Sequence, residues 1–477
     1  MGEGYLEQPQ TAYDRVKYPS ALYRTTHPEH LAALARLHGL AAADPRHART
    51  LEIAGGDGLN VLAMGAALPD ARFVSIDLAT VPVARGRALA AAAGMTNVRI
   101  EAADIIEAAE SFAGEFDYVV AHGLYAWVPP AVQEATLRLI DRVLAPEGVS
   151  FISYNALPGC HLRMAVREML AYELDGMAQG ADRMRQARAI LQDFARARQG
   201  DGPSETALRD TARLMLDKNP DSLFHDELGE CYYPKALHQM AAEAAQHNLA
   251  YLTESQAGGL FHGLPGEDID DGAVVRRAQT ADFRDVCFFH QSLFVRPGRN
   301  PRRVADPALV GTLLAGTASG LRRASDTLFT VGKGEFEVGD ARLASFLEET
   351  IRAVPARLPL AWVAEAPEYC EPILQLVNRG ILELHSLPFP GTLQPGEHPR
   401  AHALLHALIA EGETRLFSLD HRLMDIPEEG PRRFLSLLDG TRDRAALAAE
   451  WEAAGMATMV SAETALAQLA RAGMLSE

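Results

Sequence analysis

The sequence predicts an α/β fold: a doubly wound sheet in the N-terminal third, then helical and α+β middle units, then a small helical unit at the C-terminus. Between Arg49 and Asn155, short β-branched and apolar runs alternate with alanine- and leucine-rich stretches of helical length, as strands joined by crossover helices do. A glycine loop, Gly55, Gly56 and Gly58, follows the first of these runs directly. Beyond the alternating region, the apolar residues Leu162, Ala165, Val166, Met169 and Leu170 recur at the spacing of one buried helix face.

Strands are expected at 50–53, 73–76, 98–102, 118–121 and 149–154, with a helix starting near Leu59. The helix face after the sheet needs a partner, either the rest of the chain or a second copy in a homodimer; intramolecular packing is the expectation. Gly200 to Ser204 should interrupt the helices, and the acidic glycine-rich stretch 257–272 should separate two sub-structures. A Pro, Arg and Asn cluster at 297–307 marks another boundary. After LPFPGTLQPGEHP three short helices are expected, with Gly440 closing one, Ser461 capping the last and Gly473 ending it, a pattern that fits a winged helix. The resulting division is 1–160, 161–220, 221–305, 306–398 and 399–477.

Composition narrows the function. A chain of 477 residues exceeds what one core usually supports, and 48% hydrophobic content suffices for several. With 45 basic and 63 acidic residues the net charge is −18, which argues against a nucleic-acid backbone and is compatible with a cationic substrate. Residues 401–477 carry seven arginines, no lysine and twelve carboxylates, so protein contact or scaffolding is expected of the C-terminal unit, acting at a distance from the chemistry. Cys160, Cys231, Cys287 and Cys370 lie 71, 56 and 83 residues apart, which gives neither the close pairing of a zinc site nor a disulfide scaffold; no metal is expected. No apolar run reaches membrane-spanning length, no secretory pattern opens the chain, and Leu6 stands where a myristoylation motif after Gly2 wants Ser or Thr. The expected compartment is the cytoplasm.

The first strand ends at Glu52, the glycine loop lets the backbone approach a ligand, and the second strand delivers Asp77 nineteen residues after Gly58. There a carboxylate can accept both hydroxyls of a ribose. A dinucleotide loop needs a third glycine three residues after the second, and this chain has Val61, so S-adenosylmethionine is the expected cofactor. Glu52 either anchors the loop or merely ends its strand. Asp104, next to Ile105, either holds the adenine amino group or caps a helix. The fourth strand runs into AHGLYAWVPP, where His122 lines the cofactor or accepts a proton, or simply packs. Tyr125 and Trp127 either form a channel for a cationic amine through cation–π contacts or pack before the Pro-Pro turn. The fifth strand brings Tyr154 and Asn155 beside them.

At these residues the chain resembles the class I methyltransferases that carry a methyltransferase regulatory domain, including the rickettsial outer-membrane-protein lysine methyltransferases. The likeness runs through YDRVKYPSALYRTTHP (13–28), the glycine loop, FDYVVAHGLYAWVPP, LAPEGVSFISYNALPGCHLR, the segment 222–255 and the C-terminal unit. It implies a Rossmann-like domain with cofactor contacts at Glu52, Ala54, Gly56, Gly58, Asn60, Asp77, Leu78, Asp104, Ile105 and His122, with Tyr13 and Tyr18 closing over the ligand. At the reaction, the candidates are those that the fourth and fifth strand ends bring together: His122, Tyr125, Trp127 and Asn155. The family usually reads Glu-Leu-Gly-Cys where this chain has Glu52, Ile53, Ala54 and Gly55, and a Trp is common at Cys160. The expected function is transfer of a methyl group from S-adenosylmethionine to a protein lysine. A small-molecule or peptide N- or O-methyltransferase and a non-catalytic binding subunit are the alternatives.

Overall fold

The computed structural model describes residues 11–196, 200, 202–256, 258–261, 267, 269–317, 320–456 and 460–476; Gly2, Leu6 and part of the 257–272 loop lie outside the described residues. Its centre is a seven-stranded sheet built from β1 (Arg49–Ile53), β2 (Arg72–Asp77), β3 (Val98–Ala102), β4 (Phe116–Ala121), β5 (Leu144–Asn155), β6 (Ala250–Glu254) and β7 (Phe289–Val295). The spatial order is β3-β2-β1-β4-β5-β7-β6. The first five strands run parallel, and β7 is antiparallel to both β5 and β6. Leu51, Ile53, Val119, Val120, Phe151 and Ile152 are wholly buried because helices cover both faces, which is why these strands are continuous apolar runs.

The strand order reverses between β1 and β4, so the crevice beyond their carboxyl ends is where a ligand of such a sheet belongs. Two sequence expectations change here. β6 and β7 complete the sheet from residues outside 1–160, and the 257–272 loop joins β6 to the helix Asp271–Asp285 within that layer instead of separating sub-structures. Their antiparallel entry depends on pairing across 134 residues, from Asn155 to Phe289, which no local pattern encodes.

The helices His161–Glu173, Ala181–Arg196, Pro203–Leu216 and Pro220–Leu228 form a separate layer. Val166 and Leu170 bury against Leu191, Ala212, Met215 and Leu223 of their own chain, so the apolar face is covered without a second copy. Among the described residues, no helix is long and apolar enough to cross a membrane.

Past residue 306, two three-stranded sheets pack around the helices Ala341–Ala353 and Cys370–Asn378. Among the described residues the C-terminal unit has four helices, Ala403–Ala410, Glu429–Ser436, Arg444–Ala453 and Ala462–Arg471, not three, with two two-stranded ribbons. Ser461 caps the last through its hydroxyl, and Gly473 leaves it at φ 73°. This unit is not remote: Leu404, Leu405, Leu408 and Leu416 share one core with Leu59, Val61 and Leu62 of the helix after the glycine loop.

Candidate active site

A cavity of about 550 Å³ opens at the carboxyl edge of β1, β2, β4 and β5. Its floor is the glycine loop. Ala54 sits at φ 59° and Gly56 at φ 61°, and a Cβ on Gly56 would meet nothing within 4 Å, so the backbone there is bare to the cavity. Gly55 has no such freedom, because a Cβ would strike Ser75 Oγ and Glu52 Oε2. Gly58 turns the chain into the helix Leu59–Ala67 at φ 67°, and a side chain there would collide with Ile100; it packs the loop without facing the ligand.

Asp77 ends β2 and lines the cavity. Its Oδ2 accepts from Gly56 N and its Oδ1 from Ala79 N, both at 2.8 Å. A carboxylate has about four acceptor positions, so two remain for the hydroxyls of a ribose. Burial pushes this carboxyl above its usual range, an effect that Asp14 and Asp57 reinforce. Burial likewise pushes Glu52 up to about 7, against the hydrogen bonds from Asn60 and Ser75. Asn60 donates to Glu52 Oε1 at 2.7 Å and to Thr26 Oγ1 at 3.1 Å. Its Oδ1 accepts from Tyr23 N at 3.1 Å and from His421 Nε2 at 2.8 Å. All four bonds of this amide are made, so Asn60 ties the N-terminal segment and the C-terminal unit to the loop and has none left for a ligand.

The roof comes from the N-terminal segment and the helix Pro220–Leu228. Tyr13 stacks on His225 at 4.3 Å, and the Tyr18 hydroxyl donates to Asp226 at 3.4 Å. Both tyrosines line the cavity, as the resemblance implies. His122 stacks face to face on Tyr23 with ring centroids 3.6 Å apart, and burial pushes its pKa down to about 4. It is therefore neutral at pH 7 and a weak base.

Asn155, at the end of β5, is 7% exposed and lines the cavity, and its buried Oδ1 has no hydrogen-bond partner in the protein. An orphaned carbonyl oxygen costs about 1 to 3 kcal/mol, so a turn of the Asn155 side chain that brought this buried oxygen to a donor in the cavity would be favoured.

Besides Gly58, four expected contacts, Leu78, Asp104, Ile105 and Tyr125, fall outside the cavity lining, as does the neighbouring Tyr154. Tyr125 is 1% exposed and its hydroxyl donates to Glu243 at 2.8 Å, in the core and outside the cavity lining. Tyr154, on the opposite face of β5 from Asn155, bonds Ser292 Oγ. Asp104 accepts from Ile106 N at 2.7 Å as a helix cap, and Ile105 and the 44% exposed Leu78 do not reach the cavity lining. Trp127 does line it, but Arg163 and Arg167 already lie over its ring at 5.0 and 5.7 Å. Its cation–π capacity is spent within the chain.

Sequence reasoning passed over Tyr23, Asp57, Arg85, Arg163, His225, Asp226 and Phe289, all of which line the cavity. The usable signal is the polar triplet His225-Asp226-Glu227 directly after Leu223 and Phe224. Asp57 accepts from Ser20 Oγ at 2.5 Å and from Arg85, whose other Nη reaches Glu413 at 2.8 Å. The C-terminal unit thus braces the glycine loop.

These features meet their counterparts in known proteins. A family model described as a methyltransferase domain matches residues 50–148. The protein RP028 of Rickettsia prowazekii, printed as uncharacterized, is 31% identical over 234 residues, covering 49% of this chain and 93% of that one. RP789 of the same organism, likewise printed as uncharacterized, is 31% identical over 57% of this chain, a match that spans half of its own length. Among solved structures, PKMT2 from Rickettsia typhi superposes with a TM-score of 0.81 at 20% identity, over 96% of this chain and all of that one. PKMT2 has also been solved in complex with AdoHcy, with a TM-score of 0.80 at 20% identity, over 96% of this chain and 99% of that one. The chain belongs to the class I S-adenosylmethionine-dependent methyltransferases.

Proposed function

We propose that the methyl acceptor is the side-chain amine of a protein lysine, received where Asn155, Phe289 and Asp226 line the cavity. The observation that carries this reading is the unpartnered Asn155 Oδ1. A neutral amine keeps N–H donors while it presents its lone pair, and one of them would satisfy that oxygen and orient the nitrogen. The cofactor supplies an electrophilic sulfonium methyl. On the protein side, Asp77 would hold the ribose, the bare Gly56 backbone would admit the nucleoside, and Tyr13 and Tyr18 would cover it. Asp226 attracts the incoming ammonium. His122 is too weak a base to take the proton at pH 7, so the amine is expected to lose it to water as it leaves bulk solvent.

The unit 221–305 in this reading forms part of the acceptor side, since His225, Asp226 and Phe289 come from it. The acidic unit 399–477 contacts the polypeptide while bracing the loop. The test is to incubate the purified protein with methyl-labelled S-adenosylmethionine and host lysate. Label in protein, recovered as methyl-lysine after hydrolysis, is expected; label confined to small molecules would overturn the reading. Asn155→Ala should lower turnover roughly 10- to 100-fold while cofactor affinity stays within about threefold.

A further inference from the structure

At the start of β7, behind the Phe289 wall of the cavity, the helix Asp271–Asp285 ends in an unusual way. Val286, a β-branched residue, is left-handed at φ 54°, and Cys287 N donates to Asp282 O at 3.0 Å, turning the chain back on its own helix. The turn gathers Asp282, Cys287 and His290, whose ligand atoms all lie within 4.8 Å of one another. Asp282 and His290 are buried and the Cys287 thiol is half-buried. His290 Nε2 lies 3.1 Å from Asp282 Oδ2. Ligand atoms bonded to one tetrahedral zinc stand about 3.3 to 3.8 Å apart, so side-chain adjustments of under about 1 Å would close this set.

We propose that Asp282, Cys287 and His290 form a binding site for a divalent transition metal of the zinc type, with a fourth position left to water. The donor set, thiolate, imidazole and carboxylate, is the chemistry such an ion selects. A second observation points the same way. On its other side the imidazole Nδ1 lies 3.2 Å from Glu254 Oε2 but makes no hydrogen bond, so a small ring turn would be needed to aim its N–H at that oxygen; the carboxylate is itself held by Gln291 N at 2.9 Å, Ser292 Oγ at 2.7 Å and the Tyr251 hydroxyl at 3.1 Å. A metal-bound histidine almost always gives its second N–H to such an oriented carboxylate. The carbonyl end of the helix adds negative potential. The spacing Asp-x4-Cys-x2-His was overlooked in the sequence because cysteines were weighed only against other cysteines.

Binding would release the thiol proton and the proton shared by His290 and Asp282 to solvent. It would also fix one wall of the cavity. Cys287 O accepts from Gly159 N and Phe288 O from Ala156 N, each at 2.9 Å, and Phe289 pairs with Asn155 across the sheet. The ion would act as a positioning element, not as a participant in methyl transfer.

The rival occupant of this pocket is a proton, giving an imidazolium held between Asp282 and Glu254. Tag-free full-length protein from zinc-supplemented cells would be analysed for metal, then stripped with a chelator and titrated with cobalt(II). Near one equivalent of zinc, and a sulfur-to-cobalt charge-transfer band with the visible bands of a four-coordinate ion, are expected. Cys287→Ser, at a half-buried position that should fold, is expected to abolish the charge-transfer band, and Glu254→Gln to weaken zinc roughly 10- to 100-fold. Less than about a tenth of an equivalent of zinc with no cobalt spectrum, or unchanged metal content and spectrum in Cys287→Ser, would overturn the proposal and leave the ion pair.

Discussion

Asp77 offers the sharpest test of the cofactor assignment. Its two oxygens already accept one backbone N–H each, from Gly56 and Ala79, and present their remaining positions to the cavity. Replacing Asp77 by Ala removes two charge-assisted bonds to a ribose and leaves two backbone donors to water. The net cost expected for the cofactor is about 1.5 to 3 kcal/mol, a loss of roughly 13- to 160-fold in affinity. Calorimetric titration with S-adenosylmethionine and with its demethylated product reads this directly. A denaturation midpoint on the ligand-free protein separates a loosened loop from a lost contact. Because the effect is assigned to the hydroxyls, an analogue lacking both should bind wild type and Asp77→Ala with nearly equal affinity. If Asp77→Ala binds the cofactor within twofold of wild type, or loses the dideoxy analogue as severely as the parent, the carboxylate is not the ribose anchor.

Other sites yield predictions of stability and pH dependence. Glu29 is buried and accepts from Ser386 N at 2.8 Å and His385 Nδ1 at 3.1 Å, with Arg357 at 3.3 Å. Glu29→Ala would leave the buried Arg357 with one carboxylate, Asp420, beside the Leu387 and Pro388 carbonyls, so a loss of about 3 to 5 kcal/mol in urea unfolding is expected, and a loss below about 1 would contradict the role. Burial holds His27 near 3 and His122 near 4, below the value of about 6.5 that both regain on unfolding, so the unfolded chain binds more protons and stability should fall as pH drops below about 6.5. Glu52, raised to about 7, works in the opposite sense between about pH 4.5 and 7, and the raised Asp77 and His290 join it, whereas the lowered His30, His385 and His421 add to the loss; urea midpoints that stay flat from pH 7.5 to 5 would refute a balance set by the buried histidines. Ala54→Gly relieves a left-handed Ala worth about 1 to 2 kcal/mol and returns about 0.4 to 1 through the freer unfolded chain, so a gain of up to about 1.6 kcal/mol is expected and a clear loss would show that the Cβ is needed.

What the sequence made legible was what its local chemistry encodes. The five parallel strands and Asp77 at a strand end were readable because burial on both faces demands apolar runs and a tight turn demands glycine. The side-chain directions at the acceptor end were not. Tyr125 and Trp127 stand in an aromatic cluster, yet whether such a ring faces a ligand or a neighbour depends on distant residues: Glu243 takes the Tyr125 hydroxyl and Arg163 covers Trp127. Adjacent residues of one strand face opposite ways, so Tyr154 and Asn155 could not both face the cavity, and only the structure shows that Asn155 does.

The same reasoning revises the C-terminal unit. Its net charge and lack of an apparent nucleophile disfavour a nucleic-acid partner and a part in the chemistry, but neither carries information about position. In the structure His421 reaches Asn60, Arg24 pairs with Asp420, and Glu413 meets the Arg85 that holds Asp57. Removing residues 399–477 would therefore expose the apolar side of the helix Leu59–Ala67 and release three polar ties to the floor of the cavity. A unit that shares its core with the helix after the glycine loop braces that loop, so its removal should weaken cofactor affinity as well as turnover, and unchanged cofactor affinity in a folded truncation would refute this.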